Sequence, residues 1–459
     1  MRMIKNFLFL GFGETLARCF SFLAIIYISH KISLGNFGMI NFALGYINYF
    51  SLLTNWGLLI YGARKIAEGI KIKEIVEQIF SVRFLLGILA TLLAVLIINI
   101  IKEELFLKKL IMIYSFFIFF DALNLEWFFL GKEKVSYCFV NRLLSNFLYF
   151  LLLILFLKSD KEIFFVPFSF VFGVLVGNLF LFLSYQKKYR ARLNWRLNFK
   201  ENIFLLKTTL PLGGVQILIQ IYTLFNIIFL GFLKWKEELG YYSAGYRLLL
   251  VLMIFDRIFN QIALPFLTRK FKEGNFDILK NITRLILVFI LPVSFFLYLI
   301  SDKLFLWLFP KEYLKGVLVF QTLLFFWIFT ILNSIFSLGL LALGKDKEYF
   351  RNVLIGTFVN FFLAMFLIKN FRYSGAAWAL VGTEFLIFFL NFKHFQNYHQ
   401  INFLNSLPLP LLLTGLTFFP LFLLKKCSLW CLSFLFLIIY FFLFMIFRKK
   451  IKKDYRLLK

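Results

Sequence analysis

The chain has 459 residues, 61% of them hydrophobic, and its 51 Lys and Arg outnumber 23 Asp and Glu to give a formal charge of +28. With a mean hydropathy of +0.85, that much apolar surface cannot be hidden inside soluble domains, and no compact basic domain exists to bind nucleic acid. The composition leaves a polytopic membrane protein whose Lys and Arg hold loops on one side of the bilayer.

A membrane-spanning helix needs about 20 mostly apolar residues. Fourteen such stretches are predicted, over 7–28, 39–60, 80–101, 110–130, 138–157, 163–185, 204–232, 242–267, 282–301, 318–343, 352–369, 375–396, 405–424 and 428–447. Between the second and third, Ile66 to Ile79 carries charges on one face and isoleucines on the other, and reads as a short surface helix. The seventh span begins at Pro211, and a polar loop, Lys234 to Gly240, leads into the eighth, which carries Arg247, Asp256 and Arg257. Placing the N-terminus in the cytoplasm puts about 32 Lys and Arg on the cytoplasmic side and about 15 on the other. Fourteen spans then return the C-terminus to the same side, with the basic tail Arg448 to Lys453. The loops are short, so the chain has no extramembrane domain to hold a second substrate.

An internal repeat is visible. Gly131-Lys132-Glu133-Lys134 recurs as Gly344-Lys345-Asp346-Lys347, and Asn178 recurs as Asn391. Arg64 and Arg269, with Leu34-Gly35 and Leu239-Gly240, match at a nearby offset. The expected organisation is therefore an all-α polytopic membrane helical bundle of about 14 transmembrane helices. It comprises two pseudo-symmetric six-helix lobes, 1–200 and 201–397, related about the membrane normal. Two C-terminal helices and the basic tail, 398–459, are an addition.

Charges within spans are costly, roughly 2.5–3.5 kcal/mol each at mid-helix, and persist where they face a partner or water. Glu14 and Arg18 lie one turn apart on the first span and can pair. Asp121, Glu126, Arg142, Arg247, Asp256, Arg257 and Glu384 also fall within spans. One reading is a polar cavity between the two halves whose arginines meet an anionic ligand, because a guanidinium binds phosphate through paired hydrogen bonds. The other is local ion pairs plus arginines reaching to the interface. Gly173 and Gly177 form a GxxxG pattern suited to helix packing. Prolines 167, 211, 265, 292 and 420 bend or end spans, either as tolerated kinks or as the hinges of a moving bundle.

The chain lacks HExxH, DxD and GxSxG, and at Gly339 to Lys345 a phosphate-loop spacing fails because Asp346 stands where Ser or Thr is required. No catalytic residue, cofactor or metal site is expected. The four cysteines, Cys19, Cys138, Cys427 and Cys431, make no metal or disulfide framework.

Three groups of residues bear a resemblance. The first runs from Leu34-Gly35-Asn36-Phe37-Gly38 through Leu53-Thr54-Asn55-Trp56-Gly57 to Ala63-Arg64-Lys65-Ile66-Ala67. The second is the Pro211 to Arg269 block, with Gly240-Tyr241-Tyr242 and Ala244 leading to Arg247. The third is Gly344-Lys345-Asp346-Lys347 followed by Asn360 and Ser374-Gly375-Ala376-Ala377. In this order the chain, to about residue 395, resembles the polysaccharide-biosynthesis membrane proteins, the O-antigen (Wzx-type) flippase family. That family lies within the multidrug/oligosaccharidyl-lipid/polysaccharide exporter superfamily.

The resemblance implies two six-helix lobes, a central cavity and alternating access. It implies movement of an undecaprenyl-diphosphate-linked oligosaccharide from the cytoplasmic to the outer leaflet of a prokaryotic inner membrane. A coupling ion (H+ or Na+) and polysaccharide assembly enzymes are implied partners. It aligns Arg247 with a position commonly Lys or Arg, and Asn226 with one often occupied by Asp. The residues expected to line the cavity are Arg18, Arg247, Arg257, Glu14 and Asn226. Competing readings are an exporter of small cationic molecules, which favours acidic and aromatic lining, and a polytopic glycan polymerase or glycosyltransferase, which the short loops disfavour.

Overall fold

The computed structural model describes the backbone of residues 2–69, 72–101, 104–189, 194–195 and 198–456, and the side chains of these except 2–15, 211–212 and 448–456. Among the described residues every regular element is a helix. In chain order these are α1 (Arg2–Lys31), α2 (Leu34–Asn55), α3 (Leu58–Glu68), α4 (Ile72–Ile100), α5 (Leu105–Ala122), α6 (Glu126–Gly131), α7 (Val135–Phe156), α8 (Phe165–Tyr189), α9 (Phe199–Phe232) and α10 (Lys236–Lys272). They continue as α11 (Ile278–Leu308), α12 (Gly316–Ala342), α13 (Asp346–Gln396), α14 (Pro408–Leu423) and α15 (Leu429–Arg456). Three short 3-10 turns complete the set. A bilayer core leaves backbone groups no water to bond, so a chain this apolar satisfies them internally, as helix.

Fourteen spans are recovered once α13 is divided. At Arg372 the backbone leaves helical geometry (φ 52, ψ −129). Asn360 on the first half donates to Thr383 on the second, and Asn352 donates to Asn391. These pairs run antiparallel, so α13 is a helical hairpin and supplies both the eleventh and twelfth spans. Nine helices among the described residues are long and apolar enough to cross a membrane by length and composition. Four others fall outside that measure for visible reasons: α1 has side chains described only over 16–31, α2 is rich in Gly and Asn, α5 carries Lys108, Lys109 and Asp121, and α14 has 16 residues.

The chain forms two compact units, residues 1–240 and 241–459. In the first, α1 packs on α7, α7 on α8, and α5 on α2, α4 and α8. Gly173 and Gly177 let α8 approach Ser145 and Asn141 of α7 so closely that a Cβ at either position would overlap them. The GxxxG pattern is thus a packing seam. Helix α9 packs on α2 and α3, so the compact first unit includes it. In the second unit α12 packs on α11 and on the α13 hairpin. Helices α14 and α15 pack on α11, where Arg284 donates to the Asn405 carbonyl.

The surface helix expected over 66–79 is shifted. Helix α3 ends at Glu68 because Gly69 adopts a left-handed conformation (φ 80), and α4 starts at Ile72. On α3 the Lys65 ammonium, 2.6 Å from Glu68, holds that carboxyl below its usual range. The second and fourth expected spans are also interrupted, at 56–57 and 123–125. The repeated turns share a backbone pattern. Lys134 N donates to Phe129 O and Lys345 N to Leu340 O, around a left-handed residue at Glu133 and Gly344. The structural offset is 344 − 133 = 211, two fewer than the matching glycines give.

At the start of α10, Lys236 pairs with Glu104 at 2.7 Å, with both side chains well exposed. Exposed pairs contribute about 0–1 kcal/mol. Lys236→Ala is therefore expected to leave thermal stability in detergent nearly unchanged, and a large loss would show that this contact anchors the helix.

Candidate functional site

The first unit builds a polar region around two interruptions in its helices. Helix α2 ends at Asn55, Trp56 and Gly57 both take left-handed conformations, and α3 follows. Helix α5 ends at Ala122, and α6 begins at Glu126 after three intervening residues, with Asn124 Oδ1 accepting from the Glu126 N–H at 2.7 Å. Each break frees carbonyls that a membrane interior cannot hydrate. Arg83 of α4, only 1% exposed, supplies the donors. It donates to Thr54 O at 3.2 Å, Asn124 O at 2.7 Å and Asp121 O at 2.8 Å, with Asp121 Oδ2 at 3.4 Å. One guanidinium thus ties the α2–α3 break to the α5–α6 break.

Below the second break, Glu126 accepts from Arg142 Nε at 3.0 Å and Nη2 at 2.9 Å, and from Asn141 at 2.9 Å. This paired geometry is among the stronger protein ion contacts. One turn along α7, Asn146 donates to Arg142 O and accepts from Ser21 of α1. Ser21, Asn146 and Arg142 therefore form one polar seam between α1 and α7. Arg18 lies three residues before Ser21 on α1 and is half-buried. The Glu14 side chain lies outside the described residues.

Asn226 of α9 is fully buried, and neither its Oδ1 nor its Nδ2 has a hydrogen-bond partner among the described residues. Such groups are rare in native interiors because each forfeits its solvation. In the second unit, Arg247 is half-buried on α10 and Arg257 is exposed ten residues later, about 15 Å along the helix axis. Asp256 accepts from Ser334 at 2.6 Å and from Asn260 at 2.9 Å. The expected site residues thus fall on three helices, α1, α9 and α10, and Arg247 and Arg257 are not neighbours.

Sequence reading missed Arg83, whose signal was a buried-range arginine just inside a span. It also missed the asparagines that complete the second unit's polar interior. Asn333 donates to Glu384 at 2.6 Å, Asn391 to Asn333 at 2.6 Å, and Asn352 to Asn391 at 2.8 Å.

Long apolar helices, interrupted at membrane depth only where buried arginine and asparagine groups take up the freed backbone, define a polytopic helical membrane protein. The family model described as "Polysaccharide biosynthesis protein" matches residues 3–271. The chain belongs to this family. It is 23% identical over 390 residues to a Shigella dysenteriae protein named "Putative O-antigen transporter", covering 84% of this chain and 98% of that one. Its fold resembles the lipid II flippase MurJ in its inward closed conformation, with a TM-score of 0.78 at 14% identity, covering 97% of this chain and all of that one. It also resembles an inward-facing MATE multidrug resistance transporter, with a TM-score of 0.66 at 13% identity over 83% of this chain and 94% of that one. At these identities the likeness to solved structures is one of fold.

Proposed function

We propose that this protein is a flippase that moves an undecaprenyl-diphosphate-linked oligosaccharide from the cytoplasmic to the outer leaflet of a prokaryotic inner membrane by alternating access. Both termini lie in the cytoplasm, and two six-helix repeats, 1–200 and 201–397, carry the motion, with 398–459 added. The observation that carries this reading is the polar seam of Ser21, Asn146, Arg142 and Glu126 inside an apolar bundle of the polysaccharide-biosynthesis family. The lipid tails of such a substrate stay in the bilayer while the diphosphate and sugars cross. The protein's task is to shield a hydrated head, which calls for charge and hydrogen bonds rather than covalent chemistry. Arg18 and Arg247 are the cations assigned to the diphosphate, with Glu14, Asn226 and Arg257 as further lining.

The test is leaflet accessibility of an undecaprenyl-diphosphate oligosaccharide in proteoliposomes. Protein-dependent movement supports the flippase, and no movement of several glycans by folded protein would favour small-molecule export. Arg247→Ala is expected to stay folded and to lower transport roughly tenfold or more, the effect of losing a charge-assisted bond of about 1.5–3 kcal/mol. Unchanged transport at equal protein level would remove Arg247 from the site.

A further inference from the structure

Two carboxylates of the second unit reach adjacent residues of α12. Asp256 accepts from Ser334 and Asn260, and Glu384, 2% exposed, accepts from Asn333. Behind Asn333 the three asparagine amides form one string. Asn352 donates to Asn391, Asn391 to Asn333, and Asn333 to Glu384. Every amide points its N–H toward Glu384, so the string is polarised in one direction and stabilises an ionised carboxylate at its inner end. At its outer end Asn352 Nδ2 lies 3.0 Å from His394 Nδ1. Arg351 donates to His394 Nε2 at 2.8 Å, and Nδ1–H donates to Leu390 O at 2.9 Å. The Asn352–His394 contact therefore sets two N–H groups against each other, while the buried Asn352 Oδ1 has no partner among the described residues.

From these contacts we infer that Glu384 is a proton-binding site whose occupancy is read at the loop end of α13 through reversal of the amide string. Protonation converts Glu384 from an acceptor facing N–H to a donor facing N–H. The mismatch is relieved when Asn333 rotates to present Oδ1, and the same exchange then passes to Asn391 and Asn352. At the outer end the reversed string turns the N–H to N–H contact at His394 into an N–H to carbonyl contact. No electrons move, and the step is the addition of one proton to one carboxylate. Among the described residues no group of three or more His, Cys, Asp or Glu side chains gathers. The charged and titratable groups around Glu384 are Asp256 on α10 with Arg257 beside it, and Tyr349 on the first half of α13, bonded to Ser337. Arg351 and His394 stand at the string's outer end.

The inference does not depend on the cargo. The test uses the purified full chain in lipid nanodiscs, with infrared difference spectra and hydrogen exchange followed across pH. Wild type is expected to show a protonated-carboxyl band on acidification. That band is lost in Glu384→Gln, kept in Asp256→Asn, and kept at a shifted frequency in Glu384→Asp. Exchange in segments 345–352 and 390–396 is expected to change over the same pH range in wild type and to stop doing so in Glu384→Gln. Asn391→Leu keeps the band, raises its proton affinity by roughly threefold through loss of polarisation, and uncouples the exchange change. A band that survives Glu384→Gln, or exchange coupling that survives Asn391→Leu, overturns the proposal. Neither readout involves a transported lipid, so failure here leaves the flippase reading intact, and failure to flip leaves the proton site intact.

Discussion

Arg83→Leu is expected to cost the protein about 3–5 kcal/mol of stability, the range for removing one partner of a buried ionic and hydrogen-bonded group. The leucine fills similar space but takes this donor from Thr54 O and Asn124 O, leaves Asp121 O with the Asn124 N–H alone, and leaves the Asp121 carboxylate without its cation. Arg83→Lys is expected to lie between wild type and leucine, because a single ammonium cannot fork to both helix breaks. Asp121→Asn removes only the longest of the four contacts, at 3.4 Å from a partly exposed side chain, and is expected to be the mildest. Thermal unfolding in detergent orders the three. Arg83→Leu unfolding at the wild-type temperature would show that the breaks are held by something other than this guanidinium.

The second large effect is expected at Gly57. Its φ of 77 costs a residue with a Cβ about 1–2 kcal/mol. A Cβ there would also meet Gly213 N of α9 at 2.8 Å and overlap the Thr209 carbonyl. Backbone cannot swing aside as a side chain can, so Gly57→Val adds overpacking of about 1–3 kcal/mol. The variant is expected to lose roughly 2–5 kcal/mol and much of its yield in membranes. Gly69 is the control: its φ is 80, but nothing lies within 4 Å among the described residues. Gly69→Ala therefore bears only the backbone cost. Equal losses at Gly57 and Gly69 would refute the contact with α9.

The membrane spans were legible because length and apolar composition alone decide what a bilayer accepts. The interruptions were less so. Gly57 could have announced the first break, yet the apolar residues on both sides read as one continuous span. The second break, Leu123-Asn124-Leu125, contains neither Gly nor Pro. Its only sequence signal is the spacing of Asp121, Asn124 and Glu126, which serve as caps and ion partners. Arg142 and Glu126 were visible as charges within spans, but that they pair depends on how α6 and α7 meet. The string behind Glu384 was hidden for the same reason. Asn333, Asn352 and Asn391 are far apart in sequence, and a neutral amide in a span raises no alarm until its neighbours are known. Asn226 was singled out through resemblance, and the structure adds that its amide is orphaned.

The position of Arg83 also constrains the order in which the chain is assembled during synthesis. When α4 leaves the ribosome, α2 has preceded it, so the guanidinium meets one acceptor, Thr54 O. The acceptors at Asp121 and Asn124 emerge only about 40 residues later. Until then an arginine near one end of its span, where the cost lies below the about 2.5–3.5 kcal/mol of mid-membrane, is carried by the apolar remainder of α4. A nascent chain halted between residues 100 and 120 would hold that helix least securely, and its release past residue 124 is the point at which the guanidinium gains its remaining acceptors.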